Sequence, residues 1–132
     1  MIASFSIGGK VALVAENDPM HNILVEDMLL DEGCSVRGPH LRFNAAIEAA
    51  KTENLDIGIL NATIEGTKVY PIGNVPWSRD IPYIITSSNP EAVALERPEC
   101  VVLAKPFRAD DLLRAIEEAF SRKSKRKLAK SG

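Results

Sequence analysis

Short apolar runs separated by helical patterns constrain this chain more than any other feature. Val11-Ala12-Leu13-Val14-Ala15, Ile57-Gly58-Ile59-Leu60, Tyr83-Ile84-Ile85 and Val101-Val102-Leu103-Ala104 are almost unbroken in apolar residues. A strand with one wet face alternates polar and apolar, so unbroken runs this brief suit strands covered on both faces, as in a parallel sheet. A weaker strand candidate surrounds Cys34-Ser35-Val36-Arg37 and is closed by Gly38-Pro39. Helical signals fall between the runs. Asp18-Pro19 supplies an N-cap and a first-turn proline, and Met20, Ile23, Leu24 and Met28 form the expected apolar stripe of a helix stopped at Gly33. Residues 43–53 read as a second helix. The last begins near Ala109 and carries Leu112, Ile116, Ala119 and Phe120 on one face. Gly73, Pro76 and Pro82 leave a short or broken helix after Tyr70, and Pro98 limits the next to about two turns. Strands alternating with helices imply βα units and a three-layer α/β sandwich.

The chain has 132 residues, 45% hydrophobic and 26% charged, which suits one globular domain with a single core. No apolar run reaches the roughly 20 residues that span a bilayer, and MIASFSIGGK lacks the charged and apolar regions of a secretion signal. The expected location is therefore cytoplasmic. Cys34 and Cys100 form neither a disulfide framework nor a metal pair, and both read as buried free thiols. His21 and His40 read as surface residues without metal-ligand spacing. All 18 acids lie in residues 1–120 with ten Lys or Arg, a net of −8, whereas residues 121–132 hold six Lys or Arg and no acid. The expected organisation is a domain over 1–120 followed by a basic tail or helix extension over 121–132. That tail is either a solvated helix end or a contact for nucleic acid, an anionic membrane surface or an acidic partner. No aromatic interleaves its cations, which makes nucleic acid the less favoured partner.

In an open α/β sheet, chemistry gathers beyond the carboxyl ends of the strands. Those positions hold Glu16, Asn17 and Asp18, then Asn61, then Thr86, Ser87 and Ser88, then Lys105-Pro106-Phe107. In order and at these intervals, VALVAENDPM, DIGILNATIEG, YIITSS and LAKPF resemble the receiver domain of bacterial response regulators, over about residues 8–120. GTKVYP and the short fourth helix bring the chain nearest to small stand-alone receivers. The resemblance implies a doubly wound, flavodoxin-like sheet of five parallel strands in the order 2-1-3-4-5, with Cys34 and Cys100 on opposite edges. It places Asn61 at the phosphoacceptor, Glu16 and Asn17 at the two acidic metal-site positions, and the Thr63 carbonyl as a further metal ligand. Ser87, or Thr86 beside it, takes the switch hydroxyl. Lys105 takes the phosphate-sensing lysine, and Pro106 follows a cis bond.

The departures decide the expected function. An amide oxygen at Asn61 is a poor nucleophile, and Asn17 removes a second carboxylate. Each lost charge forgoes about 4 kcal/mol of gross attraction for a cation at about 4 Å, so Mg²⁺ binding is expected to be weak or lost and no metal or other cofactor is expected. Val102 stands where receivers often carry an aromatic. Glu16 and Asp18 remain readable as capping residues, Lys105-Pro106 as a solvated turn, and the hydroxyls as ordinary strand-end groups. The expectation is a non-enzymatic pseudo-receiver of a two-component or phosphorelay system. Its partners would be proteins, a histidine kinase or another signalling protein among them, with a homodimer left open and nucleic acid disfavoured. The alternatives are a working phosphorelay receiver with an unorthodox acceptor, or binding to nucleic acid or an anionic surface through the tail.

Overall fold

Strand residues that alternate in sequence are buried on opposite sides of one parallel sheet, which is why the runs read as continuous. The computed structural model describes residues 7–131. The elements run β1 (Val11–Ala15), α1 (Pro19–Asp31), β2 (Ser35–His40), α2 (Phe43–Thr52), β3 (Ile57–Asn61), β4 (Thr63–Ile64), β5 (Thr67–Lys68), α3 (Tyr70–Ser78), β6 (Tyr83–Ser87), α4 (Pro90–Glu96), β7 (Val101–Ala104) and α5 (Ala109–Ser131). Five strands pair in parallel in the order β2-β1-β3-β6-β7, which is the expected 2-1-3-4-5 once the separate β4–β5 hairpin is set aside. Ala12, Val14, Ile57, Ile59 and Ile84 meet Val25 and Leu29 of α1 and Leu112 and Ile116 of α5 on one side. Leu13, Ala15, Leu60 and Ile85 meet Ala46 and Ala50 of α2, Ile72 of α3 and Val93 of α4 on the other. Leu112 and Ile116 are fully buried, each worth roughly 2–3 kcal/mol in apolar transfer. Cys34 and Cys100 are free, and lie in these two different cores next to the opposite edge strands.

Three expectations are corrected. The core face of α1 consists of Asn22, Val25 and Leu29 with Met28 partly covered, while Met20, Ile23 and Leu24 are exposed. Apolar residues lie on every side of this helix, so periodicity alone cannot choose which side packs. β2 does not end at Gly38-Pro39 but continues to His40. It is an edge strand, where a proline without an N–H is tolerated, and a bulge opposite Leu13–Ala15 absorbs the irregularity. Gly38 has φ 105, and a Cβ there would stand 2.8 Å from the Val14 carbonyl oxygen, so only glycine fits. His21 and His40 are both half-buried, His21 against Phe107, and not on the open surface.

The basic segment continues α5 as one helix to Ser131. Arg122 donates to the Cys100 carbonyl at 3.0 Å and pairs with Glu118 at 2.8 Å. Arg126 stacks over Trp77 with its guanidinium carbon 3.5 Å from the ring centroid, and lies 3.6 Å from the Asp80 carboxylate. Guanidinium groups therefore continue the packed face beyond Phe120, the last apolar residue of α5 that packs on the core, while Leu128 further on is exposed. Among the described residues, no helix is long and apolar enough to cross a membrane.

Candidate functional site

The carboxyl ends of β1, β3, β6 and β7 open at one edge of the sheet, and the loops leaving them carry the polar residues singled out in the sequence. Pro19 starts α1, and Asp18 caps it by accepting from the Met20 N–H at 3.0 Å. That cap turns the chain sharply after β1 and leaves Glu16 facing inward, only 3% exposed. The Glu16 carboxylate accepts from Lys105 Nζ at 3.0 Å through Oε1 and from the Asp18 N–H at 3.0 Å through Oε2. Its backbone carbonyl accepts from the buried Asn22 side-chain amide at 2.7 Å. Lys105 arrives from the far edge of the sheet. Its N–H bonds the Ser87 carbonyl at 2.9 Å, and its peptide bond to Pro106 is cis.

Asn61 closes the centre of the site. Its amide Nδ2 donates to the Thr63 carbonyl at 2.7 Å, and its Oδ1 lies 3.4 Å from the Thr86 hydroxyl, which donates to it. Thr86 is opposite Asn61 in the β3–β6 register, so the two side chains project from the same face. The Ser87 hydroxyl belongs to a different contact, accepting from the Asn89 N–H at 2.9 Å. Asn17 is exposed. The structure thus joins Glu16 to Lys105, and Asn61 to Thr63 and Thr86, whereas Ser87 and Asn17 stand apart from both pairings.

His21 was absent from the sequence reading of the site. Its Nε2 is buried with no hydrogen-bond partner and lies 4.0 Å from Glu16 Oε1, and its ring packs edge-on against Phe107 at 5.1 Å between centroids. Burial holds the imidazole below its usual pKa, with the Lys105 ammonium adding to this and Glu16 opposing it. Its place two residues into α1, one turn from the strand end, was the available signal.

The donors do not fit Mg²⁺. A hard cation of this kind wants several anionic or carbonyl oxygens in octahedral array. Here the inward-facing carboxylate already holds an ammonium and an amide, and the Thr63 carbonyl is taken by Asn61. Among the described residues, no three His, Cys, Asp or Glu side chains converge as a metal-binding group.

No protein-family model matches the chain, and no curated protein matches it. Solved structures do. A CheY-like receiver domain from Methanospirillum hungatei JF-1 is 15% identical, covers 89% of this chain and 98% of its own, and superposes with a TM-score of 0.75. The receiver domain of a sensor histidine kinase from Pseudomonas aeruginosa PAO1, solved with magnesium coordinated in its active-site cleft, is 20% identical over 86% of this chain and 99% of its own, with a TM-score of 0.71. The response regulator PhyR from Brucella abortus is 22% identical over 91% of this chain with a TM-score of 0.79, and this chain spans about half of it (51%). The chain has the flavodoxin-like receiver fold.

Proposed function

We propose that this protein is a response-regulator-like signalling module that acts by binding other proteins and does not depend on phosphorylation at residue 61. The hydrogen bonding of Asn61 carries this reading. In a working receiver, a carboxylate at that position attacks a phosphoryl group whose charge is offset by metal, lysine and hydroxyl. Here the amide spans the gap between residue 61 and the Thr63 carbonyl with its own N–H, and Glu16 rather than a phosphoryl oxygen receives Lys105. The contacts that a phosphoryl group would organise are replaced by internal ones, so the site holds one arrangement without a ligand.

A protein partner is favoured by the exposed face of α1. Met20, Ile23 and Leu24 are 67%, 55% and 49% exposed on the helix that leaves the site, a grouping of large apolar side chains that a lone soluble surface seldom presents. A histidine kinase or another signalling protein is the class of partner meant.

The test is exposure to acetyl phosphate with Mg²⁺ followed by intact mass. The natural protein should stay unmodified, while Asn17→Asp with Asn61→Asp should gain about 80 Da, the mass of a phosphoryl group. Uptake by the natural protein at Asn61, or at another residue of the site, would favour an unorthodox phosphoacceptor and end the phosphorylation-independent reading.

A further inference from the structure

The side of α1 turned away from the sheet joins apolar and acidic residues in one stripe. Met20, Ile23, Leu24 and Leu30 are exposed there, and Asp27 and Asp31 stand among them. α1 holds no lysine or arginine, so no such cation sits in its last turn. This runs against helix electrostatics, because the C-terminal end of a helix favours cations and acids four residues apart repel. The side chains of Asp27, Asp31 and, on α5, Glu117 are exposed, with no hydrogen-bond or ion-pair partner among the described residues. A cation from outside the domain would relieve this crowding of negative charge.

The chain carries the complement itself. α1 and α5 leave the same end of the sheet, at residues 19 and 109, and pack on one core with His21 against Phe107. Residues 24, 27 and 31 of α1 are therefore roughly level with 114, 117 and 121 of α5. α1 ends at Asp31 whereas α5 goes on to Ser131, so about ten residues, or roughly 15 Å of helix, overhang the end of α1. Arg122 and Arg126 fix one side of this overhang to the body. Leu128, about 200° round the helix from Arg126, points the other way and is 72% exposed. Lys125 is exposed too, and its described interaction is a through-space attraction to Glu118 of the same helix. Ser121 and Ser124 on this outer side are small.

We propose that the α1–α5 face binds a second copy of this chain, in a two-fold dimer where the overhang of each α5 lies antiparallel along the α1–α5 face of the other. A two-fold axis passing Ser121 brings residue 125 of one copy level with 117 of the other, and 128 level with 114. Lys125 of one copy then faces Glu117 of the other, with Asp27 on the next helix. Leu128 faces the strip formed by Leu24 and the Arg114 stem. The serines at 121 and 124 let the two α5 helices approach where they cross. Such a pairing is self-complementary, so every contact is made twice and the assembly closes at two copies. The dimer covers the exposed face of α1, so self-association and the binding of a signalling partner exclude each other; that consequence rests on the proposed function, while the dimer does not.

The test is sedimentation equilibrium on the full chain, over about 0.01–1 mM at low salt, where a monomer–dimer equilibrium is expected. Raising NaCl from about 0.05 M to about 0.5 M should weaken association several-fold, because exposed charges are screened. Leu128→Glu and Lys125→Glu should each raise Kd at least about tenfold, since each contact is lost twice. Both residues are exposed, so far-ultraviolet circular dichroism should not change. Lys125→Glu combined with Asp27→Lys and Glu117→Lys should restore association. Lys51→Glu, at an exposed lysine of α2 on the other side of the sheet, should leave Kd unchanged. A monomer throughout that range would overturn the proposal, as would a Kd indifferent to Leu128→Glu or Lys125→Glu, equal weakening by Lys51→Glu, no recovery in the triple variant, or growth beyond two copies. The acetyl phosphate test is independent of this one, so either reading can fail alone.

Discussion

Removing the Lys105 ammonium tests whether the Glu16 pair holds the site together. Lys105→Met keeps the length and apolar stem of the side chain and deletes only its charge. Glu16 would then be an ionised carboxylate at 3% exposure with the Asp18 N–H as its remaining close donor. At 3.0 Å the pair has a gross Coulomb attraction of about 5.5 kcal/mol for an effective dielectric of 20. The Lys105 side chain is 24% exposed, so solvent screens part of that, and we expect a net loss of roughly 2–3 kcal/mol, below the range for breaking a fully buried pair. In a domain of this size that corresponds to a fall of about 8–12 °C in Tm. Glu16→Gln with Lys105→Met should regain most of the loss, because a neutral amide can still accept from Asp18 and leaves no buried charge. The assay is urea unfolding of the natural protein, both single variants and the double variant, followed by Trp77 fluorescence and treated as a double-mutant cycle. A Lys105→Met variant within about 0.5 kcal/mol of the natural protein, or a coupling energy near zero, would refute the reasoning.

Ending the chain at Ser121 removes the Arg122 bonds and the Arg126 stack on Trp77, and should cost about 2 kcal/mol with a change in the near-ultraviolet dichroism of Trp77; an unchanged Tm would show that these contacts contribute nothing. His21 and His40 are both held below their usual pKa, in each case mainly by burial. The unfolded chain therefore takes up protons as the pH falls through about 6.5 while the folded chain resists, so stability is full above that pH and declines below it. The urea midpoint should drop between about pH 7.5 and 5.5, and His21→Gln with His40→Asn should flatten the drop. Gly73→Ala should destabilise by about 1–3 kcal/mol despite the better helix propensity of alanine, because the new Cβ would stand 2.7 Å from the Tyr83 ring; equal or higher stability in thermal melts would contradict that packing.

The parts of the fold most legible in the sequence were those where one physical cause dominated. Two-sided burial marked β1, β3, β6 and β7, and the Asp18-Pro19 cap marked the start of α1. Elements with competing causes were hidden. α1 carries leucine, isoleucine and methionine on its wet side, so its packed face depends on where the sheet lies. The two-residue strands β4 and β5 are too short for any period to register, and α5 extends past its core-facing apolar residues with Arg122 bonded to the Cys100 carbonyl and the Arg126 guanidinium stacked on Trp77. At the site, spacing was enough to bring Glu16, Asn61 and Lys105 to the same end of the sheet. Orientation was not readable: whether Thr86 or Ser87 faces Asn61 is set by the β3–β6 register, and His21 enters the site through the direction of the first helical turn.

The hairpin after Asn61 is fastened on every side. Ile64 is fully buried, Val69 N–H closes the hairpin onto the Ala62 carbonyl at 2.9 Å, and Lys68 reaches Glu96 of α4 at 3.3 Å. At its tip, Glu65, with φ 52 beside Gly66, accepts from the Phe43 N–H at 2.7 Å, so the turn itself caps α2. A loop tied to two helices and the core has little conformational freedom left to lose. A partner docking here would meet a surface already in its bound shape, and association would forgo the ordering entropy that mobile recognition loops lose on binding.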